Sequence, residues 1–259
     1  MFKKILICTL PMILAACSST QANWQQDESK ETIYQKTNNH TQLVTLYKSQ
    51  LKNKESNMVR EKLAKSYLAL GDTESALLFI APAVKQPVPT VNSLLIQAQI
   101  FSELGQYPAA IASAKRVLDI EPESAQAENQ LGTYYGYNYQ FDLARSYFER
   151  SRAHYYDSVT VNNNLAVLDI AQGHYNQAMK RLLPLYKNGQ ADEQVMANLT
   201  LSMAKEGQYQ FVYQVLKEKY SKYQVEQIYR SLQKYHSLDA ESRTLSLTSQ
   251  YDNGMSNES

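Results

Sequence analysis

Residues 131–148 read LGTYYGYNYQFDLARSYF. Taken alone, this is an amphipathic helical hairpin that turns near Tyr139. Stepping 34 residues at a time away from Tyr139 lands on Gly71, Gly105, Gly173 and Gly207. Five positions after each of these turn residues stand Ala76, Ala110, Ala144, Ala178 and Val212. Eight positions before each stand Leu63, Gln97, Leu131, Leu165 and Leu199, followed by Ala64, Ala98, Gly132, Ala166 and Thr200. Two positions after each come Thr73, Tyr107, Phe141, Tyr175 and Tyr209. Each period therefore calls for two antiparallel helices packed closely. Small residues let the backbones approach, so Ala64, Gly132 and Ala166 are expected to face Ala76, Ala144 and Ala178. A glycine after the first helix accommodates positive φ without a Cβ clash. One hairpin cannot bury its apolar face alone, so neighbours must stack to make the core.

A 34-residue period with small residues at the close contacts resembles the tetratricopeptide repeat. The resemblance runs from 57 to 226 in one register, as repeats 57–90, 91–124, 125–158, 159–192 and 193–226. It implies an all-α fold, a right-handed superhelical solenoid in which each repeat is two helices of about 14 residues. The twenty tyrosines fit buried repeat positions that keep the hydroxyl end wet. Upstream, Leu43, Leu46, Tyr47 and Leu51 recur at helical spacing, so 31–56 reads as a degenerate N-terminal repeat, reduced to as little as its second helix. Residues 227–236 read as a terminal capping helix and 237–259, rich in Ser, Asn and Asp, as a disordered tail. Pro108 suits a helix start and Pro122 an inter-repeat turn. Pro82 and Pro184 fall late in second helices, which they are expected to kink or end early.

Residues 1–16, MFKKILICTLPMILAA, have the positive start and short apolar run of a signal peptide. The sequence Leu14-Ala15-Ala16-Cys17-Ser18-Ser19 resembles the lipobox of bacterial lipoproteins. That resemblance implies covalent lipid on Cys17. With Ser18 rather than Asp next, it implies sorting to the outer membrane, lipid-anchored on the periplasmic face. Several acyl chains anchor firmly, at about 0.8 kcal/mol per buried methylene. Residues 17–30 are polar and read as a flexible tether, with Trp24 either at the membrane interface or docked on the first helix. Cys8 leaves with the signal and Cys17 is acylated, so neither of the two cysteines serves a disulfide, a metal or a nucleophile. Losing Lys3 and Lys4 turns the formal net charge of +1 slightly negative, which gives no basis for a nucleic-acid partner.

No catalytic constellation is legible. The four histidines, His40, His154, His174 and His236, sit in no HExxH motif and beside no cysteine, and read as surface residues. A P-loop and a GxSxG motif are both absent from the sequence. The reading is a non-enzyme with no cofactor beyond the lipid and no small-molecule substrate. In the tetratricopeptide fold the first helix of each repeat lines the inner groove. Its inward positions include Gln99, Gln126, Asn129, Gln130, Thr160, Asn163, Asn164, Gln194 and Asn198. This amide ladder can pair with an extended peptide backbone, since an amide both donates and accepts. The other reading is that it solvates the face, with Asn163 and Asn164 bonded inside the solenoid. The basic clamp with which some related modules grip a C-terminal carboxylate is absent, unless Lys62 and Lys65 supply one.

Asn162-Asn163-Asn164-Leu165-Ala166-Val167 and Asn198-Leu199-Thr200-Leu201-Ser202-Met203-Ala204 resemble segments of the TadD lipoproteins of the tight-adherence (Flp) pilus system. That resemblance implies a pilotin-like adaptor whose partners are an outer-membrane secretin and other pilus assembly components. Type IV pilotins share the plan. So do scaffolds for peptidoglycan hydrolases, such as NlpI, and outer-membrane barrel-assembly accessories, such as BamD.

Overall fold

The computed structural model describes residues 27–234, and every regular element among them is an α-helix. The helices fall into two compact units that divide between Gln106 and Tyr107, inside the second expected repeat.

The first unit holds α1 (27–36), α2 (His40–Asn53), α3 (Asn57–Ala69), α4 (Thr73–Val84) and α5 (Val91–Glu103). Short polar residues start four of them: Asn39, Ser56, Asp72 and Thr90 each accept a hydrogen bond from a backbone N–H three residues on. Helix α2 packs on α3, α3 on α4 and α5, and α4 on α5, closing over Tyr47, Leu63, Ile80, Leu94 and Ile100. Helix α1 is tied in by one carboxylate. Glu31 accepts from the Tyr47 hydroxyl at 3.0 Å and from Lys62 Nζ at 2.7 Å. Burial, reinforced by that carboxylate, pushes the Tyr47 phenol far above its ordinary pKa. The N-terminal repeat thus has both of its helices, and residues 27–30 are helix where a tether was expected. Asn38, at φ 51°, makes the turn between them.

The second unit holds α6 (Tyr107–Ile120), α7 (Ala125–Tyr137), α8 (Phe141–Ala153), α9 (Ser158–Ala171), α10 (Tyr175–Lys187), α11 (Glu193–Lys205), α12 (Tyr209–Leu216) and α13 (Lys222–Lys234). Each packs on the next, and first helices also touch across repeats: α7 on α9, α9 on α11, α11 on α13. Towards the C-terminal end the core is one cluster that includes Ala166, Leu182, Leu199, Val212 and Val225.

The start of the terminal helix is corrected, and two other expectations gain local detail. A Cβ at Gly132 would sit 2.5 Å from the Phe148 ring, and it is the Cβ position of Gly136 that comes within 4.0 Å of Ala144. Pro82 and Pro184 lie inside α4 and α10, which run on to Val84 and Lys187. Pro82 removes only its own N–H from the ladder, and the turn that spans it still closes, with Lys85 N–H donating to the Ala81 carbonyl at 3.0 Å. The terminal helix begins at Lys222 rather than 227. There Ser221 and Gln224 form a reciprocal cap, each side chain bonding the other's backbone N–H, which starts α13. Residues 235 and 236 of the expected cap, and the tail 237–259, lie outside the described residues.

Tyr139 stands where other repeats have glycine and adopts the same left-handed backbone, φ 57° against 74° at Gly71 and 77° at Gly173. The bond that closes the turn is also the same. Gln140 N–H reaches the Tyr135 carbonyl at 2.9 Å, as Asp72 N–H reaches Tyr67 at 3.0 Å.

Candidate functional site

Helices α7, α9 and α11 present one face each to a groove of about 700 Å³ in the second unit. Helix α7 contributes Thr133, Gly136 and Tyr137, α9 contributes Asn163, Asn164, Val167 and Ala171, and α11 contributes Gln194, Ala197, Asn198 and Leu201. These are the three- and four-residue spacings that keep side chains on one helix face. Glycine at 136 leaves the α7 surface low, since a Cβ there would stand 3.3 Å from Leu168. Aromatic rings close one end. Tyr107 stacks on Tyr137 with centroids 5.4 Å apart, and Tyr139 meets Phe141 edge-on at 6.2 Å. Tyr137, Tyr139 and Val167 are each 43 % exposed or more, so apolar surface is open to solvent at this place.

None of the lining residues carries a charge. Two carboxylates of this unit are buried, each with cationic or hydrogen-bonding partners. Glu128, fully buried on α7, has Arg150 Nη2 at 2.8 Å and His154 Nδ1 at 2.7 Å. Asp169, buried on α9, accepts from Arg145 Nη2 and Arg181 Nε, both at 2.7 Å. His154 is therefore not a plain surface histidine. A carboxylate buried without such partners would be strongly destabilising.

The amide ladder divides. Asn163, Asn164, Gln194 and Asn198 line the groove, whereas Gln99, Gln126, Asn129, Gln130 and Thr160 do not. Gln99 belongs to the first unit, on α5, and is exposed; Gln126 is exposed at the start of α7. Thr160 is engaged with the α9 cap, its hydroxyl and N–H both bonded to Asp157. Asn129 is buried and accepts from Asn164 Nδ2 at 3.0 Å, and Asn198 Nδ2 donates to Asn163 Oδ1 at 2.9 Å. The asparagines thus bond helix to helix inside the fold, and both pairs span successive repeats. Each pair uses one atom per amide. Asn163 Nδ2 and the Oδ1 atoms of Asn164 and Asn198 take no part in them.

The lysines considered for a carboxylate clamp are engaged in the first unit: Lys62 with Glu31, and Lys65 with Asn92 Oδ1 at 3.2 Å. Sequence reasoning missed the apolar half of the groove. Val167 and Leu201 sit three or four residues after Asn163, Asn164 and Asn198, so a count at helical spacing would have found them. Among the described residues no group of three or more His, Cys, Asp or Glu is placed to hold a metal ion, and no helix is long and apolar enough to cross a membrane. Cys17 lies outside the described residues.

The arrangement is similar to that of several known proteins. A tetratricopeptide-repeat protein of Thermus thermophilus superposes with a TM-score of 0.60 at 17% identity, covering 69% of this chain and 98% of its own. A tetratricopeptide-repeat protein from Parabacteroides merdae gives 0.62 at 16% identity, covering 76% and 80%. PilW, described as a widely conserved type IV pilus biogenesis factor, gives 0.53 at 22% identity, covering 59% and 71%. In sequence, 75 residues are 33% identical to the F-box/TPR repeat protein pof3 of Schizosaccharomyces pombe, a match that takes in 29% of this chain and 13% of that protein. No family model matches the chain. The fold is the tetratricopeptide-repeat fold, all-α.

Proposed function

We propose that this chain is a non-enzymatic adaptor that works by binding other proteins, lipid-anchored through Cys17 to the periplasmic face of the outer membrane. In this reading it helps a secretin of a Tad/Flp pilus to assemble or reach its place, with other pilus components as further partners. The observation that carries the binding role is the groove of the second unit: preformed, uncharged and open, with rings and amides and no group suited to acid–base or nucleophilic work. The lipobox resemblance supports the anchor, and the segments around Asn163 and Asn198 support the pilus. A type IV pilotin is the second reading, favoured by the likeness of fold to PilW. The test is capture of the tagged, lipidated chain from gently solubilised outer membranes. A Tad-type secretin that co-purifies with wild type, and is lost with Cys17→Ser, is the expected result. A type IV secretin instead would move the assignment to the second reading. Peptidoglycan hydrolases or barrel-assembly subunits alone would remove the pilus from it.

A further inference from the structure

Resting on the reading of the groove as a protein-binding site, we infer what it binds: an extended, uncharged internal segment of a partner chain, carrying apolar side chains and held through its backbone. The absence of charge along the groove sets the first condition. A lysine or aspartate entering it would give up part of its water and meet no counter-ion in return. A free C-terminal carboxylate meets the same objection, since no lysine or arginine lines the groove to receive it. Apolar side chains meet the opposite situation, because Val167, Leu201 and the exposed ring of Tyr137 have apolar surface to cover.

The amides set the second condition. The helix-to-helix bonds at 3.0 and 2.9 Å fix how Asn164 and Asn198 are turned, so the groove's hydrogen-bonding atoms are held in place before any partner arrives. On the three groove asparagines the atoms outside those bonds are one donor, Asn163 Nδ2, and two acceptors, the Oδ1 atoms of Asn164 and Asn198. A helix satisfies its own backbone groups and has no use for them. An extended segment brings unpaired N–H and C=O groups that would otherwise be buried unbonded. Backbone recognition by amides with side-chain recognition by rings and aliphatics fits an extended segment.

The test is selection from a displayed library of random decapeptides, each embedded in an inert chain so that no free terminus is offered. The baits are the full-length protein and its Val167→Asp and Ala197→Glu variants. Both substitutions lie at exposed groove positions, and thermal unfolding checks that the variants stay folded. Wild type is expected to enrich sequences poor in charge, with apolar residues at alternate positions. Each variant should lose about tenfold in affinity for them. Binding should hold nearly constant between about 50 mM and about 500 mM NaCl, because no ion pair is screened. Enrichment of charged sequences, or of apolar residues at three- and four-residue spacing, that is still lost in the variants would overturn the inferred chemistry and leave the groove as the site. Equal enrichment by all three baits, or none by any, would overturn the groove reading with it. Sedimentation showing a wild-type dimer that both variants abolish would assign the groove to a second copy of this chain and overturn the inference.

Discussion

The hairpins α7–α8 and α9–α10 occupy the same positions in successive repeats, yet they are held by different means. In α7–α8 the buried carboxylate is Glu128, and both of its partners, the Arg150 guanidinium and the His154 ring, come from the hairpin's own second helix or its end. In α9–α10 it is Asp169, whose cations come from either side, Arg181 from its own second helix and Arg145 from the helix before. The first cluster closes one hairpin; the second sews two together. The close contact differs as well: Gly132 under Phe148 in one, Ala166 and Leu182 at the equivalent positions in the other. So does the turn, Tyr139 against Gly173, and so does the cap, where Ser124 makes no side-chain bond while Asp157 bonds the Thr160 N–H at 2.7 Å. The repeat prescribes that two helices meet closely and that hairpins stack. Which residues accomplish it varies from one hairpin to the next.

The largest effect is expected from Asp169→Ala. It leaves two guanidinium groups without their partner, though both are partly solvated, and should cost about 2–3 kcal/mol in urea unfolding. Because Asp169 joins neighbouring repeats, the transition should also broaden. Glu128→Ala, acting within one hairpin, should leave its width unchanged, and equal broadening by both would erase the distinction.

Gly132→Ala comes next. The added methyl meets the Phe148 ring, and overpacking of about 2 kcal/mol outweighs the gain of somewhat under 1 kcal/mol that alanine brings to a helix. Adding Phe148→Leu recreates the Ala166 and Leu182 combination and should recover most of the loss. No recovery would mean that the glycine serves something other than the ring.

Asp157→Ala should cost about 1 kcal/mol through loss of the α9 cap. The Thr160 side chain first, then the Thr160 N–H, hold the Asp157 carboxyl below its ordinary value of 3.8. A depressed folded value stabilises the protein at pH above that ordinary value, and the contribution fades as pH falls through the lower folded one. The variant's deficit should therefore shrink in strongly acidic urea titrations, and a deficit independent of pH would count against the cap as its source.

The smallest effect is expected at the turn. Tyr139→Gly relieves a left-handed tyrosine but frees the unfolded chain and gives up the contact with Phe141. A net gain of about 0.5 kcal/mol in thermal or urea unfolding is expected, and a loss would show that the ring contact outweighs the backbone.

Much of the fold was legible because repetition turns weak local signals into a strong one. The turn positions appear as four glycines and one tyrosine, and each of them takes positive φ in the structure. What escaped was non-periodic. The early start of α13 depends on one Ser221–Gln224 cap, and α1 on a single carboxylate shared by Tyr47 and Lys62. The candidate site was half legible. Amides stand out in a sequence because they are unexpected on an inward face, whereas Val167, Ala197 and Leu201 look like ordinary core residues until their exposure is known.

The sequence by itself determined the 34-residue period and the all-α class, because these depend on residue type and spacing along one chain. Only the tertiary structure decided which asparagines bond one another and which line the groove, that the Phe148 ring fills the space over Gly132, and that Arg145 reaches Asp169. Those are contacts between residues about 16 to 35 positions apart, and side-chain packing across helices settles them with no trace in local periodicity.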